Sequence, residues 1–179
     1  AVGLPRVRGF LQSFGLTNVN NGPSLLIGAL DLAPLQVAQM YEYIASDGHA
    51  LPLLSVRGVV DGNGRTVKRY EVQAGKGEYQ PAVRLVTWAM QQVSLYGTAH
   101  SLGDSSLASL HVAGKTGTSD DSRDSWFAGF TGEHLGVFWM GRDDNKPTHL
   151  FGATGALRVW RNLFAKLPTP PLPATLGDG

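Results

Sequence analysis

Residues 111–130 read HVAGKTGTSDDSRDSWFAGF. A short apolar run leads into a lysine set among glycines and threonines, and a second apolar run follows a polar turn. "HVAG", "DSWFAGF" and, further on, "HLGVFWMG" are short apolar segments separated by turn residues. That pattern predicts three strands packed as antiparallel neighbours. On a regular strand alternate side chains share a face, so Lys115, Gly117 and Ser119 fall on one side and Thr116 and Thr118 on the other. A twist or bulge is needed to bring the threonines round to the lysine. Gly114 and Gly117 carry no side chain, so a ligand backbone can lie close. An edge strand with such gaps can accept an extended peptide through main-chain hydrogen bonds, and the lysine and hydroxyls can hold a carboxylate.

The "GKT" within this stretch also closes a phosphate-binding loop, but that motif needs a glycine five residues before Gly114, where Ser109 stands. The preceding run has no parallel sheet around it, so a nucleotide site is rejected. Asp120, Asp121, Asp124, Asp143 and Asp144 lack calcium-loop spacing and its glycine. The five histidines, His49, His100, His111, His134 and His149, show no close pair, and each reads as structural. Trp126 and Phe127 read as strand core, with the lining of a substrate groove as the alternative. Arg142 either pairs with an acid or shapes the groove.

Outward from the strands, periodicity predicts helices. Val7, Phe10, Leu11 and Phe14 have helical spacing closed by Gly15. "LAPLQVAQMYEYIASDG" starts at Pro34, where no amide is needed, and leaves at Gly48, with Ala38, Tyr41 and Ala45 on one face beside Val37 and Ile44. Ala33 before it has no capping oxygen. "LLSVRGVVDGNGRTVKRYEVQ" alternates, turns at "DGNG" and predicts a hairpin. Pro81 opens a second long helix with a stripe of Val83, Val86, Met90 and Val93, ended by Gly97. A last helix puts Ala156, Val159, Trp160 and Leu163 inward. Helices, a hairpin, a helix, a three-strand meander and a helix give an α+β fold, an antiparallel sheet packed against helices. Residues 1–166 read as part of one domain, and the proline-rich residues 167–179 as an extended tail, linker or disordered end.

Composition narrows the function classes. The 179 residues are 42% hydrophobic and only 16% charged, against about 25% charged in an average soluble domain. Some of the surface is therefore expected to be covered by something outside this chain. A net charge of +1 gives no electrostatic footprint for nucleic acid, and the Lys/Arg of "RTVKR" read as a solvated strand face. There is no cysteine, which excludes disulfides and zinc-thiolate sites. No apolar run approaches the ~20 residues of a membrane span, and no signal peptide opens the sequence.

The lysine cluster resembles a known motif. "KTGTS" is similar to the K-[ST]-G element of penicillin-binding proteins and serine β-lactamases. The resemblance extends through "AGKTGTSDDSRDSWFAGF", "GVFWMGRDDNKPT", "LLIGALDLAPLQVAQMYEYIASDG" and "YGTAHSL". Together these resemble the bifunctional class A penicillin-binding proteins of the 1b type, over nearly the whole chain. The resemblance implies the C-terminal part of a transpeptidase domain with the fold shared by serine β-lactamases. It implies that Lys115 helps organise proton transfer around a nucleophilic serine and adds positive charge near the substrate carboxylate. Thr116 and Thr118 would offer hydroxyls to that carboxylate or its β-lactam mimic, and the Thr118 amide would be one of two oxyanion donors. Gly117 would keep the groove clear, and Ser119 would line it. Implied partners are peptidoglycan stem peptides, β-lactams and cell-wall synthesis regulators. No cofactor is implied. A glycosyltransferase domain and an anchor in the bacterial inner membrane, facing the periplasm, would lie outside this chain. Ala33 and Ala99 depart from the residues usual in the family, threonine and glycine, at two helix ends.

The family's nucleophile lies in S-x-x-K and its second proton-relay motif in S-x-N. None of the serines here has lysine at the third following place or asparagine at the second. The N-terminal half of the same domain, carrying both motifs, is thus an implied partner. The implied reaction is D,D-transpeptidation by serine acyl transfer. A D,D-carboxypeptidase or β-lactamase is the alternative within the class, and a non-catalytic β-lactam- or peptide-sensing module is the alternative outside it.

Overall fold

The structure is a computed structural model that describes residues 2–173. Its elements are α1 (Leu4–Ser13), a 3-10 turn (Pro23–Ile27), α2 (Pro34–Ala45), the strands β1 (Gly58–Val60) and β2 (Thr66–Arg69), α3 (Gln80–Tyr96), β3 (Ala113–Thr118), β4 (Ser125–Phe130), β5 (Leu135–Met140) and α4 (Ala156–Phe164). The fold is α+β, as expected, with two separate antiparallel sheets: the hairpin β1–β2 and the meander β3–β4–β5.

The meander organises the molecule because its two faces bury different side chains. Ala113, Phe130 and Leu135 point to one face and pack with Tyr41, Ile44 and Ala45 of α2 and Met90 of α3. Phe127 and Phe138 point to the other face and pack with Leu157, Trp160 and Phe164 of α4. Helix, sheet and helix therefore form three layers, and α3 also packs against β3. Close seating of α4 depends on Gly136 of β5: a Cβ there would lie 2.7 Å from the Phe164 ring and 2.8 Å from Trp160 Nε1. Trp160 stacks on Phe164 with centroids 3.8 Å apart and donates Nε1–H to the Gly129 carbonyl at 3.2 Å. On the far side of α2, α1 joins Leu16, Val19, Leu25 and Met40 in a smaller cluster.

Two helix faces differ from the sequence expectation. In α3, Val86 is exposed, and the buried residues are Val83, Thr87, Met90, Gln91 and Ser94. Two of the three polar residues in this stripe are satisfied by the helix and its neighbours: Thr87 Oγ1 donates to the Val83 carbonyl, and Gln91 Nε2 to that of His111, while the buried Ser94 hydroxyl has no partner among the described residues. In α4, Val159 and Leu163 face outward, while Leu157 and Phe164 join Ala156 and Trp160 inside. The apolar residues of that helix form one broad face running from Val159 round to Leu157, with Arg158, Arg161 and Asn162 opposite, so spacing alone left open which half of the face is buried. At the start of α2 no side chain caps the first-turn amides, but Gln36 reaches back and its Oε1 accepts the Ala33 N–H at 2.9 Å.

Residues 168–173 are extended and lie against the body. Leu172 is buried beside Met90 and Phe130, its N–H donates to the Leu110 carbonyl, and the Pro170 carbonyl accepts from Gly132 N–H. The remainder of the proline-rich segment, 174–179, lies outside the described residues.

Candidate active site

β3 pairs with β4 one residue to one, from Ala113 with Phe130 to Thr118 with Ser125. Of the twist or bulge expected from the sequence, a bulge is absent: the pairing is regular throughout β3. The threonines and the lysine meet at the strand edge instead. Ser119 N–H donates to the Asp124 carbonyl in continuation of the same register. Antiparallel pairs alternate between exchanging hydrogen bonds and not. Lys115 and Gly117 therefore turn their main-chain groups to β4, and Gly114, Thr116 and Thr118 turn theirs away from it. The N–H and C=O of Thr118 project from the free margin of the sheet.

An open groove of about 1010 Å³ runs along this margin. Lys115 to Ser119, with Trp126 and Ala128, make one wall, and the segment around Leu30 to Leu32 with Val37 and Tyr41 makes the other. All four positions expected to bind substrate (Thr116, Gly117, Thr118 and Ser119) lie on the groove together with Lys115. Of the two aromatic residues expected in the core, Phe127 is fully buried, whereas half-buried Trp126 faces the groove. Tyr41 closes the groove floor beside α2, and burial pushes its phenol up to about 12, so it stays neutral at any ordinary pH.

Lys115 is exposed, and its ammonium donates to the Thr116 carbonyl at 2.8 Å. Among the described residues it forms no salt bridge. An ammonium has three donors, so positive charge and two N–H groups face the groove. Thr118 Oγ1 accepts the Gly152 N–H at 2.9 Å, and Thr116 Oγ1 lies 2.6 Å from Thr98 Oγ1. Gly152 can come this near only as glycine: a Cβ would stand 2.7 Å from the carbonyls of both Gly117 and Trp126. Sequence reasoning singled out neither Thr98 nor Gly152 as a site residue. They reach β3 from 18 and 34 residues away, a distance no local pattern reports.

Of the aspartates that line the groove, Asp121 and Asp124 are engaged with neighbours, whereas Asp31 and Asp120 form no side-chain hydrogen bond or salt bridge among the described residues. Ser119 Oγ donates to Asp124 Oδ2 at 2.7 Å and accepts the Asp124 N–H at 2.8 Å, while Trp139 Nε1 donates to Asp124 Oδ1. The Ser119 hydroxyl thus fastens the turn after β3. Asp121 pairs with Arg123. Arg142 takes the acid-pairing alternative, donating twice to Asp144 at 2.8 Å. Those bonds, with help from Lys146, hold the Asp144 carboxyl down at about 2. His49 Nδ1 meets the Gly75 carbonyl, and His100 Nδ1 that of Gly97. Among the described residues no three His, Asp or Glu side chains converge as metal ligands would.

An open strand edge with a cation, two hydroxyls and an outward amide suits an extended peptide ending in a carboxylate, and the chain is similar to known proteins. It is 39% identical to penicillin-binding protein 1B of Escherichia coli over 173 residues, 95% of this chain and 20% of that protein. It spans about a fifth of the length of the curated relatives it matches. Among solved structures, penicillin-binding protein 1A of Haemophilus influenzae superposes with a TM-score of 0.79 at 22% identity, covering 96% of this chain and 32% of that one. Penicillin-binding protein A of Mycobacterium tuberculosis, solved as a ceftriaxone acyl-enzyme complex, gives a TM-score of 0.69 at 18% identity, covering 90% and 42%. The profile of the penicillin binding protein transpeptidase domain matches residues 2–147, so the chain that builds this groove belongs to that family.

Proposed function

We propose that this chain supplies the substrate-holding wall of a serine D,D-transpeptidase that cross-links peptidoglycan. The observation that carries the reading is the free margin of β3, where Lys115, Thr116 and Thr118 face one groove. A stem peptide lies along that margin as an added strand. Its terminal carboxylate meets the Lys115 charge and the two hydroxyls, Gly117 leaves its backbone room, and Ser119 holds the end of the strand in shape. The serine comes from residues outside this chain, in the part of the domain that carries S-x-x-K and S-x-N, and the groove receives that part beside Lys115.

The serine oxygen attacks the carbonyl between the two terminal D-alanines, and the bond to the last D-alanine breaks as its nitrogen takes a proton. Negative charge develops on the carbonyl oxygen, and the outward Thr118 N–H is one preorganised donor to it. An amine of a neighbouring stem peptide then attacks the ester, forms the cross-link and restores the serine. β-Lactams, which carry a similarly placed carboxylate, acylate the same serine. The acyl-enzyme named for the Mycobacterium tuberculosis relative is a product of this kind. A glycosyltransferase domain, a membrane anchor at the periplasmic face of the inner membrane and contacts to cell-wall synthesis regulators belong to the rest of the protein. Among the described residues no helix is long and apolar enough to cross a membrane.

The test is the mass of the intact polypeptide, this chain joined to its serine-bearing part, after exposure to labelled penicillin. A covalent adduct supports acyl transfer, and its absence leaves a sensing module. Amine-dependent cross-linking in excess of hydrolysis separates transpeptidase from carboxypeptidase or β-lactamase. Lys115→Ala is expected to slow acylation by about 10²-fold, the effect of losing one charge-stabilising donor, with an unchanged melting temperature. An unchanged acylation rate removes Lys115 from the mechanism.

A further inference from the structure

We propose that Thr98 is a positioning residue for carboxylate binding, whose hydroxyl donates to Thr116 Oγ1 and leaves the Thr116 proton for the ligand. The inference rests on the transpeptidase reading and adds a residue to it. The two groove threonines are backed in different ways. Behind Thr118 stands the Gly152 N–H, which can only donate, so the Thr118 proton is free to turn toward the groove. Behind Thr116 stands another hydroxyl, at 2.6 Å. Two hydroxyls share one proton in their bridge and keep one outside it. If Thr116 donates to Thr98, Thr116 meets a bound anion with lone pairs alone. If Thr98 donates, both threonines present a proton.

The groove decides the direction. Lys115 adjoins Thr116, lines the same groove and is in no salt bridge among the described residues, although Asp31 and Asp120 also line that groove, so its ammonium is available to an anionic ligand. An anion accepts from Thr116, and Thr98 must then donate from behind, in a chain whose members polarise one another. Thr98 is mounted to hold this place. It follows α3 between Gly97 and Ala99, whose N–H groups both donate to the Val93 carbonyl, at 3.1 and 3.2 Å, and Ala99 is fully buried. Thr98 itself does not line the groove and acts through Thr116.

Thr98→Val replaces the hydroxyl by a methyl of similar shape at an exposed position. In the intact polypeptide with its serine, the penicillin concentration for half-maximal acylation is expected to rise about fivefold, the worth of one neutral hydrogen bond. The limiting rate should change much less, and Thr98→Ser should restore the original value. With penicillin methyl ester, which lacks the carboxylate, the ratio of wild type to Thr98→Val should be about one. Wild-type behaviour of Thr98→Val toward the free acid overturns the inference and leaves the transpeptidase reading intact. An equal loss toward acid and ester also overturns it, because the residue is then structural. Failure of the wild type to acylate overturns the transpeptidase reading and the inference with it.

Discussion

The meander β3–β5 and the hairpin β1–β2 are both made of short apolar runs around polar turns, yet their surroundings are opposite. Every residue of β1 and β2 is exposed, whereas β4 is buried at five of its six positions. The hairpin holds its shape through its turn: Asp61 Oδ1 accepts N–H groups from both Asn63 and Arg65, and the Asp61 N–H donates to the Arg65 carbonyl. The meander holds its shape through helices on both faces. Only such clamping fixes a strand margin well enough to aim an amide and two hydroxyls at one ligand. Turn chemistry orders a ribbon, and packing on two sides makes it a site.

The largest way to break this contrast is Trp160→Ala. Trp160 is fully buried, stacks on Phe164, meets Phe127 edge-on with centroids 5.3 Å apart and reaches the Gly129 carbonyl of β4. Large aromatic-to-alanine changes in a core cost about 3–5 kcal/mol, a large share of the roughly 5–15 kcal/mol that holds a domain folded. Urea unfolding should show that loss. A loss under about 1 kcal/mol would mean that α4 does not fix the meander.

The sequence made the meander legible because turn residues bracket its runs and its pairing needs no bulge. Helices α2 and α3 were legible from Pro34 and Pro81 at their starts and glycines at their ends. Rotation was harder. Val159 and Leu163 were expected inside α4, but the apolar face of that helix is broad, and the close contact of Trp160 and Phe164 with Gly136 selects the other half of it. The strand parity that set Lys115 apart from Thr116 and Thr118 was correct, yet parity cannot say that the strand is an open margin where both faces border the same groove. The partners of the threonines, Thr98 and Gly152, come from other elements, and only tertiary structure brings them in.

A smaller effect tests how the clamping helices are joined. Asp47, just beyond α2, receives two hydrogen bonds from Arg84 Nε and one from its Nη2, and another from Gln80 of α3. The Arg84 bonds hold the Asp47 carboxyl below the usual carboxylate range. A depressed folded-state pKa gives stability that is complete above the unfolded value of about 3.9 and is lost as pH falls through the folded value. Asp47 has φ 55, a left-handed conformation that asparagine also tolerates, so Asp47→Asn removes charge with little backbone strain. Both side chains are partly exposed, and the cost near neutral pH should be about 0–1 kcal/mol. The gap in melting temperature between wild type and variant should close as pH drops below about 3.9. A gap that persists in acid would assign the effect to packing.

The smallest effect belongs to the hairpin. Val67 is 67% exposed and Val60 61%, so neither contributes a desolvated contact that serine would forfeit. Val67→Ser should therefore change global stability by no more than about 0.5 kcal/mol. Its influence should be local, because cross-strand pairs and the Asp61 turn are what order β1 and β2, and isolated ribbons of this size are marginal. Amide exchange should quicken at Val59, Lys68 and Tyr70, whose backbone groups belong to the ribbon, and stay unchanged in β4. If exchange in β4 quickened equally, ribbon and meander would be one cooperative unit, and the distinction between turn-ordered and helix-clamped strands would fail.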